Sequence, residues 1–163
     1  MKRALTGRWL LPRALLAAMV LVALPSAADA PRDPPQYDRF DGDSTIIKDL
    51  RTRVEWDRRA ILEKKNLAEA DLYCSALPSL PSGRLPSIKE LLTILDEEPH
   101  NEYEFGKLVP KMIDALAFAD TPVDLPYWSS SPTGTGSYWA LSFKTGLMVP
   151  LADTAQANAR CIR

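Results

Sequence analysis

Two cysteines and a single histidine are the residues of this chain best suited to chemistry. Cys74 and Cys161 can form one internal disulfide, remain as two free thiols, or link two chains. An even cysteine count and the export signal described below favour the internal disulfide. His100 has no recognisable catalytic or metal-binding partner nearby, so we expect a surface residue. The sequence therefore predicts no catalytic residue, no metal site and no cofactor.

The first thirty residues have the pattern of a secretory signal peptide. Four basic residues precede or adjoin an apolar run from Ala14 to Leu24, and small residues suited to cleavage follow at Ala28 to Ala30. The apolar run is shorter than the roughly 20 residues that span a bilayer. We therefore expect an exported protein, periplasmic or extracellular, with no membrane span after residues 1–30 are removed.

The charge of the remaining chain argues against nucleic acid as a partner. Residues 1–30 hold four of the 20 basic and one of the 21 acidic side chains. The rest of the chain therefore carries 16 positive against 20 negative side chains, a net charge of −4. General nucleic-acid binding requires a basic footprint, so we expect no such partner.

The pattern along the chain predicts a short lead-in followed by one domain. Residues 31–43 are rich in proline and charge, which predicts a flexible lead-in, and the folded domain is expected over residues 44–163. Apolar residues alternate from Leu50 to Trp56, which predicts a half-buried strand. A hairpin that turns near Asp49 to Thr52 is the alternative. The basic residues from Lys48 to Lys65 are interleaved with acids, which favours a solvated face.

Two helices are predicted in the middle of the domain. The first has Asn66 as its cap and places Cys74 on its apolar face. The second begins with a capping box formed by Ser87 and Glu90 and is expected to end near Glu97. Three consecutive acidic residues lie at that end. Adjacent side chains on a helix point in different directions and cannot converge on one ion, so we expect no cation site there.

The last part of the domain is predicted to be mostly β-structure. Residues 101–120 are less regular, with a short helix expected after Pro110. Strands are expected over "YWSSSP", "YWALSF" and "LMVPL", with "TGTGS" as a loop between the first two. The final letters, "NARCIR", predict a short closing strand.

Several stretches resemble one known family in their order and spacing. They are "GDSTIIKDLRTRVEWDR", "AEADLYCSAL", "GRLPSIKELLTILD", "DTPVDLPYWSSSP", "YWALSFKTG" and "NARCIR". Together they resemble the C-terminal-domain family of the Legionella collagen-like adhesin, the Lcl C-terminal domain, over roughly residues 41–163. The resemblance implies an α+β fold similar to C-type lectins and formylglycine-generating enzymes, with two helices on twisted antiparallel strands.

The resemblance also has implications for single residues. It implies that Cys74 on the first helix pairs with Cys161 on the last strand. It also implies mainly architectural roles for a further group, Arg84, Leu85, Pro86, Trp128 and Ser129. Two positions depart from the family: Arg53 stands where glycine is common in the first turn, and Gly83 stands where tryptophan often precedes Arg-Leu-Pro.

The resemblance favours a non-enzymatic binding or interaction module over two alternatives. Related folds often bind carbohydrate, so the expected ligand is a carbohydrate or a polyanionic glycan, with an envelope protein as another partner. The alternatives are a structural envelope protein and, less favoured, an enzyme related to formylglycine-generating enzymes. No signature of calcium-dependent sugar binding is present. Candidate ligand contacts are aromatic or basic: Arg51, Arg53, Trp128, Tyr138 and Trp139.

Overall fold

The computed structural model describes residues 36–38, 44–104, 106–118 and 120–163, which belong to one compact unit. Within them lie two helices and seven strands, and every pairing between named strands is antiparallel. The predicted α+β class is therefore confirmed, whereas the predicted signal peptide lies outside the described residues. The elements are β1 Ile46–Lys48, β2 Glu55–Asp57, α1 Leu67–Ala76, α2 Ile88–Thr93, β3 His100–Glu104, β4 Lys107–Lys111, β5 Tyr127–Gly134, β6 Ser137–Leu141 and β7 Met148–Ala152.

The strands β1 and β2 form a hairpin, not one continuous strand. Asp49 directly follows β1, and its Oδ1 atom accepts hydrogen bonds from the backbone N–H groups of Arg51, at 2.8 Å, and Thr52, at 3.2 Å. These bonds close a turn, and Arg53 completes it with a φ of 63°. The predicted strand through Leu50–Trp56 is therefore wrong, and the alternative hairpin is confirmed.

Both predicted helix starts are confirmed by reciprocal capping bonds. In α1 the Asn66 side chain accepts from the N–H of Glu69, at 2.9 Å, and the Glu69 carboxylate accepts from the N–H of Asn66, at 3.0 Å. Ser87 and Glu90 form the same arrangement at the start of α2. Each box satisfies N–H groups that a helix start leaves without partners.

The second helix is shorter than predicted. It ends at Thr93 because the N–H of Ile94 bonds back to Leu91 in a tighter turn, at 3.3 Å. The chain then turns away, and the N–H of Asp96 donates to the carbonyl of Met112. The acidic residues 96–98 consequently follow the helix and are not part of its last turn.

A second hairpin, formed by β3 and β4, ends at Lys111, just where a short helix was expected to begin after Pro110. β3 and β4 pair in register, with His100 opposite Lys111 and Tyr103 opposite Leu108. Lys111 is buried, and its ammonium group contacts the carboxylates of Glu102 and Glu104, the latter at 2.6 Å. Strand alternation places these three charged groups on one face, which a helix would not do. Residues 112–118, which follow the hairpin, form turns and bends, so the helix predicted after Pro110 is wrong.

The sheet β5–β6–β7 separates the two clusters of buried residues. Successive side chains of β5 point to opposite faces. Tyr127 belongs to a cluster with α2, β1 and β2, and Trp128 belongs to a cluster with α1 and the chain end. β5 continues to Gly134, so most of the predicted loop "TGTGS" is strand and turn.

Both ends of the described chain are attached to the β1–β2 hairpin. Tyr37 pairs with Asp49, and its ring meets Phe118 edge to face, with centroids 5.2 Å apart. Residues 36–38 of the predicted flexible lead-in are therefore packed on the domain. At the other end, Ile162 bridges to Trp56 and Arg84. The expected closing strand consists of these isolated bridges.

Candidate functional site

The two cysteines form a disulfide between α1 and the end of the chain. Cys74 and Cys161 have Cα atoms 5.2 Å apart, and both residues are fully buried. The carbonyl of Cys161 accepts from the N–H of Asp57, so β2 also holds the segment in place. Neither sulfur is a free thiol, and the buried bond serves to hold the chain end to α1.

Arg160, the residue before Cys161, carries a buried guanidinium. Arg160 is fully buried, and its Nη1 atom donates to the carbonyls of Asp57 and Arg58, at 2.6 Å and 2.7 Å. Nη2 donates to the Thr121 hydroxyl at 2.8 Å, and the guanidinium lies over the Phe118 ring at 4.8 Å. Burial lowers the pKa of Arg160.

This arginine was missed by the sequence interpretation, although one signal pointed to it. Arg160 stands between Ala159 and Cys161, both of which are fully buried, in a segment with no other charge until the terminus. Its bonds to carbonyls join the chain end to the first hairpin. We assign Arg160 a structural role, because hydrogen bonds satisfy both Nη atoms, although the buried Nε atom has no partner within the described part of the chain.

A groove of about 490 Å³ lies beside the start of α1. Its apolar side includes Leu67, Leu85 and the half-buried ring of Tyr138. Its polar residues come from three separate segments of the chain: Asn66 and Asp71, Ser130, and Asp153 and Thr154. An aromatic ring among hydrogen-bonding groups can hold a small polar ligand in a fixed orientation.

A second cavity, of about 560 Å³, lies between the first hairpin and the end of α2. It is strongly acidic, and Arg51 is the one basic residue among those that line it. Its carboxylates come from Asp49, Asp96, Glu97, Glu98 and Asp114. Arg51 therefore lies in an environment that disfavours an anionic ligand, and its role as a ligand contact stays a prediction.

The five predicted ligand contacts do not form one surface. Trp128 is fully buried, and its Nε1 atom donates to the carbonyl of Lys65 at 2.8 Å, so it has no ring face to offer and we correct it to a core residue. Tyr138 and the half-buried Trp139 are neighbours on β6 and point to opposite faces. Arg53 is exposed in the first turn. Tyr138 alone lines the groove beside α1.

A family model for the Lcl C-terminal domain matches residues 45–163 of the chain. The chain belongs to this family. The predicted resemblance is confirmed, and the fold described above is that of an Lcl C-terminal domain. No curated protein matches the chain. Among the described residues, no helix is long and apolar enough to cross a membrane.

The two departures from the family pattern have different structural outcomes. A Cβ atom on Gly83 would lie 2.5 Å from the carbonyl oxygen of Cys74 and 2.9 Å from that of Leu80, so this Lcl C-terminal domain requires glycine there. At Arg53 the left-handed φ of 63° is the backbone conformation that favours glycine. The arginine therefore occupies a strained position.

Proposed function

We propose that the chain is a non-enzymatic binding module of an exported protein and that its ligand is a saccharide held in the groove beside α1. The composition of this groove carries the proposal. The ring of Tyr138 lies among the side chains of Asn66, Asp71 and Asp153, together with hydroxyl groups. Saccharides present apolar C–H faces ringed by hydroxyls, which match an aromatic ring bordered by amide, carboxylate and hydroxyl groups.

The charge of the groove favours a neutral saccharide over a polyanionic glycan. Asp71 and Asp153 line it, and none of the described residues that line it is basic. Two basic residues of the stretch 48–65 form ion pairs outside the groove. Lys64 contacts Asp124 at 2.8 Å, and Lys65 contacts Glu63 at 3.2 Å. These pairs weaken the positive field that a sulfated glycan would need.

The state of the cysteines supports a binding role over catalysis. Formylglycine-generating enzymes use reactive cysteines, whereas Cys74 and Cys161 are bonded to each other and buried. No group of three metal-ligating side chains occurs in the part of the chain that the structure describes. Titration of free thiols in the native protein tests this point, and one labile thiol would favour an enzyme.

The wider assignment follows from the family and the disulfide. We infer a fold of the C-type-lectin or formylglycine-generating-enzyme kind, because two helices pack on antiparallel strands and a disulfide joins α1 to the chain end. A disulfide is typical of oxidising compartments, which fits export to the periplasm or beyond the cell.

A glycan array at low ionic strength tests the saccharide proposal. Tyr138→Ala and the exposed Asp71→Asn are expected to abolish or strongly weaken binding. Tyr103→Ala is the matched control, because Tyr103 is 75% exposed on β3 and lies outside the groove. Equal loss in the control, or no bound glycan for the parent protein, would overturn the proposal. Capture of an envelope protein without any glycan would favour the structural alternative.

A further inference from the structure

We infer that the acidic cavity between the first hairpin and the end of α2 binds a protonated amine. This cavity is separate from the groove beside α1, since none of the described residues lines both. Five carboxylates line the acidic cavity against one guanidinium, so its lining has a formal charge of −4. Its volume of about 560 Å³ is ample for the aliphatic chain of an amine or a lysine side chain.

The decisive feature of the cavity is the buried carboxylate of Asp49. This residue is fully buried, and its Oδ1 atom accepts the N–H groups of Arg51 and Thr52. Its Oδ2 atom has no hydrogen-bonding partner among the described residues. A buried carboxylate oxygen without a partner is costly, and a cationic donor is the group that stabilises it best.

Two more carboxylates are held beside it in fixed orientations. Asp96 Oδ1 accepts from the N–H of Glu98 at 3.0 Å, and Asp114 Oδ1 accepts from the N–H of Leu116 at 2.8 Å. The phenol of Tyr37 also lines the cavity. Its pKa is raised by burial and then by the carboxylates of Asp49, Asp114 and Asp96, which shows that the three carboxylates act on one region.

The chemistry of the lining favours an ammonium group over a metal ion. The described carboxylates do not form a group of three that could hold a metal. An ammonium group donates through three diverging N–H bonds, and its N–H···O distances of about 2.8 Å are longer than metal–oxygen bonds. The same group is present on a free diamine and on a lysine side chain of a partner, so both sources satisfy the inference.

Isothermal titration calorimetry on the full chain at low ionic strength tests the inference with two probes. Cadaverine represents a free diamine, and the peptide acetyl-Ala-Lys-Ala-amide represents a partner's lysine. Binding of either supports the site and identifies the source. Binding of neither, or binding of Ca²⁺ with no amine binding, would overturn it.

Variants distinguish a specific site from general attraction to an acidic protein. Asp49→Asn keeps the Oδ1 acceptor and is expected to weaken amine binding about tenfold or more, whereas Asp120→Asn, at an exposed position outside the cavity, changes it less than about twofold. Arg51→Gln removes the positive charge of the cavity and is expected to strengthen binding. Equal weakening by the two aspartate variants would overturn the inference. If Asp49→Asn does not fold, Asp114→Asn replaces it, with the same expected weakening.

Discussion

Cys74 and Cys161 join the first helix to the third-last residue of the chain across 87 positions of sequence. The bond closes a loop that includes most of the described domain. A cross-link over a loop of this length restricts the unfolded chain more than a short one does. The chain end is therefore part of the core, although chain ends are commonly frayed.

Removal of this disulfide is expected to cost much of the stability of the domain. The double variant Cys74→Ala/Cys161→Ala should lower the free energy of unfolding by about 4 kcal/mol, the upper range given by loop-closure entropy. Urea denaturation of parent and variant measures the difference. The parent under reducing conditions is the control and should approach the variant. Unchanged stability in the variant would contradict a structural role for the bond.

Glycine at position 83 is expected to be indispensable for packing. Gly83→Ala places a Cβ atom against the backbone carbonyl of Cys74, and backbone cannot move aside as a side chain can. We expect a loss of about 1 to 3 kcal/mol in the free energy of unfolding. Gly134→Ala is the matched control, because its Cβ would meet no atom within 4 Å. Similar losses in both variants would refute the steric explanation.

Replacement of Arg53 by glycine is expected to stabilise the domain. The residue has a left-handed φ of 63°, which costs most side chains energy and costs glycine little. We expect Arg53→Gly to raise the free energy of unfolding by about 1 kcal/mol. Arg51→Gly, in the same turn but without a positive φ, should not be stabilising. Thermal denaturation of the two variants provides the comparison, and a gain in both would point to charge instead of backbone strain.

Replacement of the buried Arg160 by lysine is expected to destabilise the domain. A lysine has one nitrogen and cannot replace the bonds to Asp57, Arg58 and Thr121 together. Arg160→Lys should lower the free energy of unfolding by about 2 kcal/mol or more. The control is Arg163→Lys, because Arg163 is an exposed residue paired with Glu55. Chemical denaturation that gives equal effects would exclude burial as the cause.

The capping box of α2 is expected to make stability dependent on pH. The Arg84 guanidinium lowers the pKa of Glu90 from 4.5 to about 2. Burial opposes this shift, and hydrogen bonds from Ser87 add to it. Because the pKa is lower in the folded state, the stabilisation is complete above pH 4.5 and is lost as pH falls toward 2.

Glu90→Gln tests this dependence. It should cost about 1 kcal/mol at pH 7 and progressively less between pH 4.5 and pH 2, as measured by urea denaturation at several pH values. In an Arg84→Gln background the pH dependence should be smaller. A constant difference between parent and Glu90→Gln at every pH would show that the carboxylate charge is not involved.

The sequence alone determined the features that depend on residues close together in the chain. Asn66 and Glu69 bond to each other's backbone within one turn, and so do Ser87 and Glu90, which is why both helix starts were predicted correctly. The order and spacing of short motifs were sufficient to predict the family. In contrast, the alternation of apolar residues around Leu50 predicted a strand. That prediction was wrong because the Asp49 side chain closes a turn at this point, which the alternation does not reveal.

The tertiary structure decided which of the chemically capable residues are accessible and what surrounds them. Trp128 is buried because its ring packs with residues from α1 and the chain end. Four of the five carboxylates that line the cavity with Arg51 come from more than 40 positions away, Asp49 being the exception. The groove that Tyr138 lines likewise gathers residues from five separate segments of the chain. Burial and charge environment are properties of such distant neighbours, which no local sequence pattern contains.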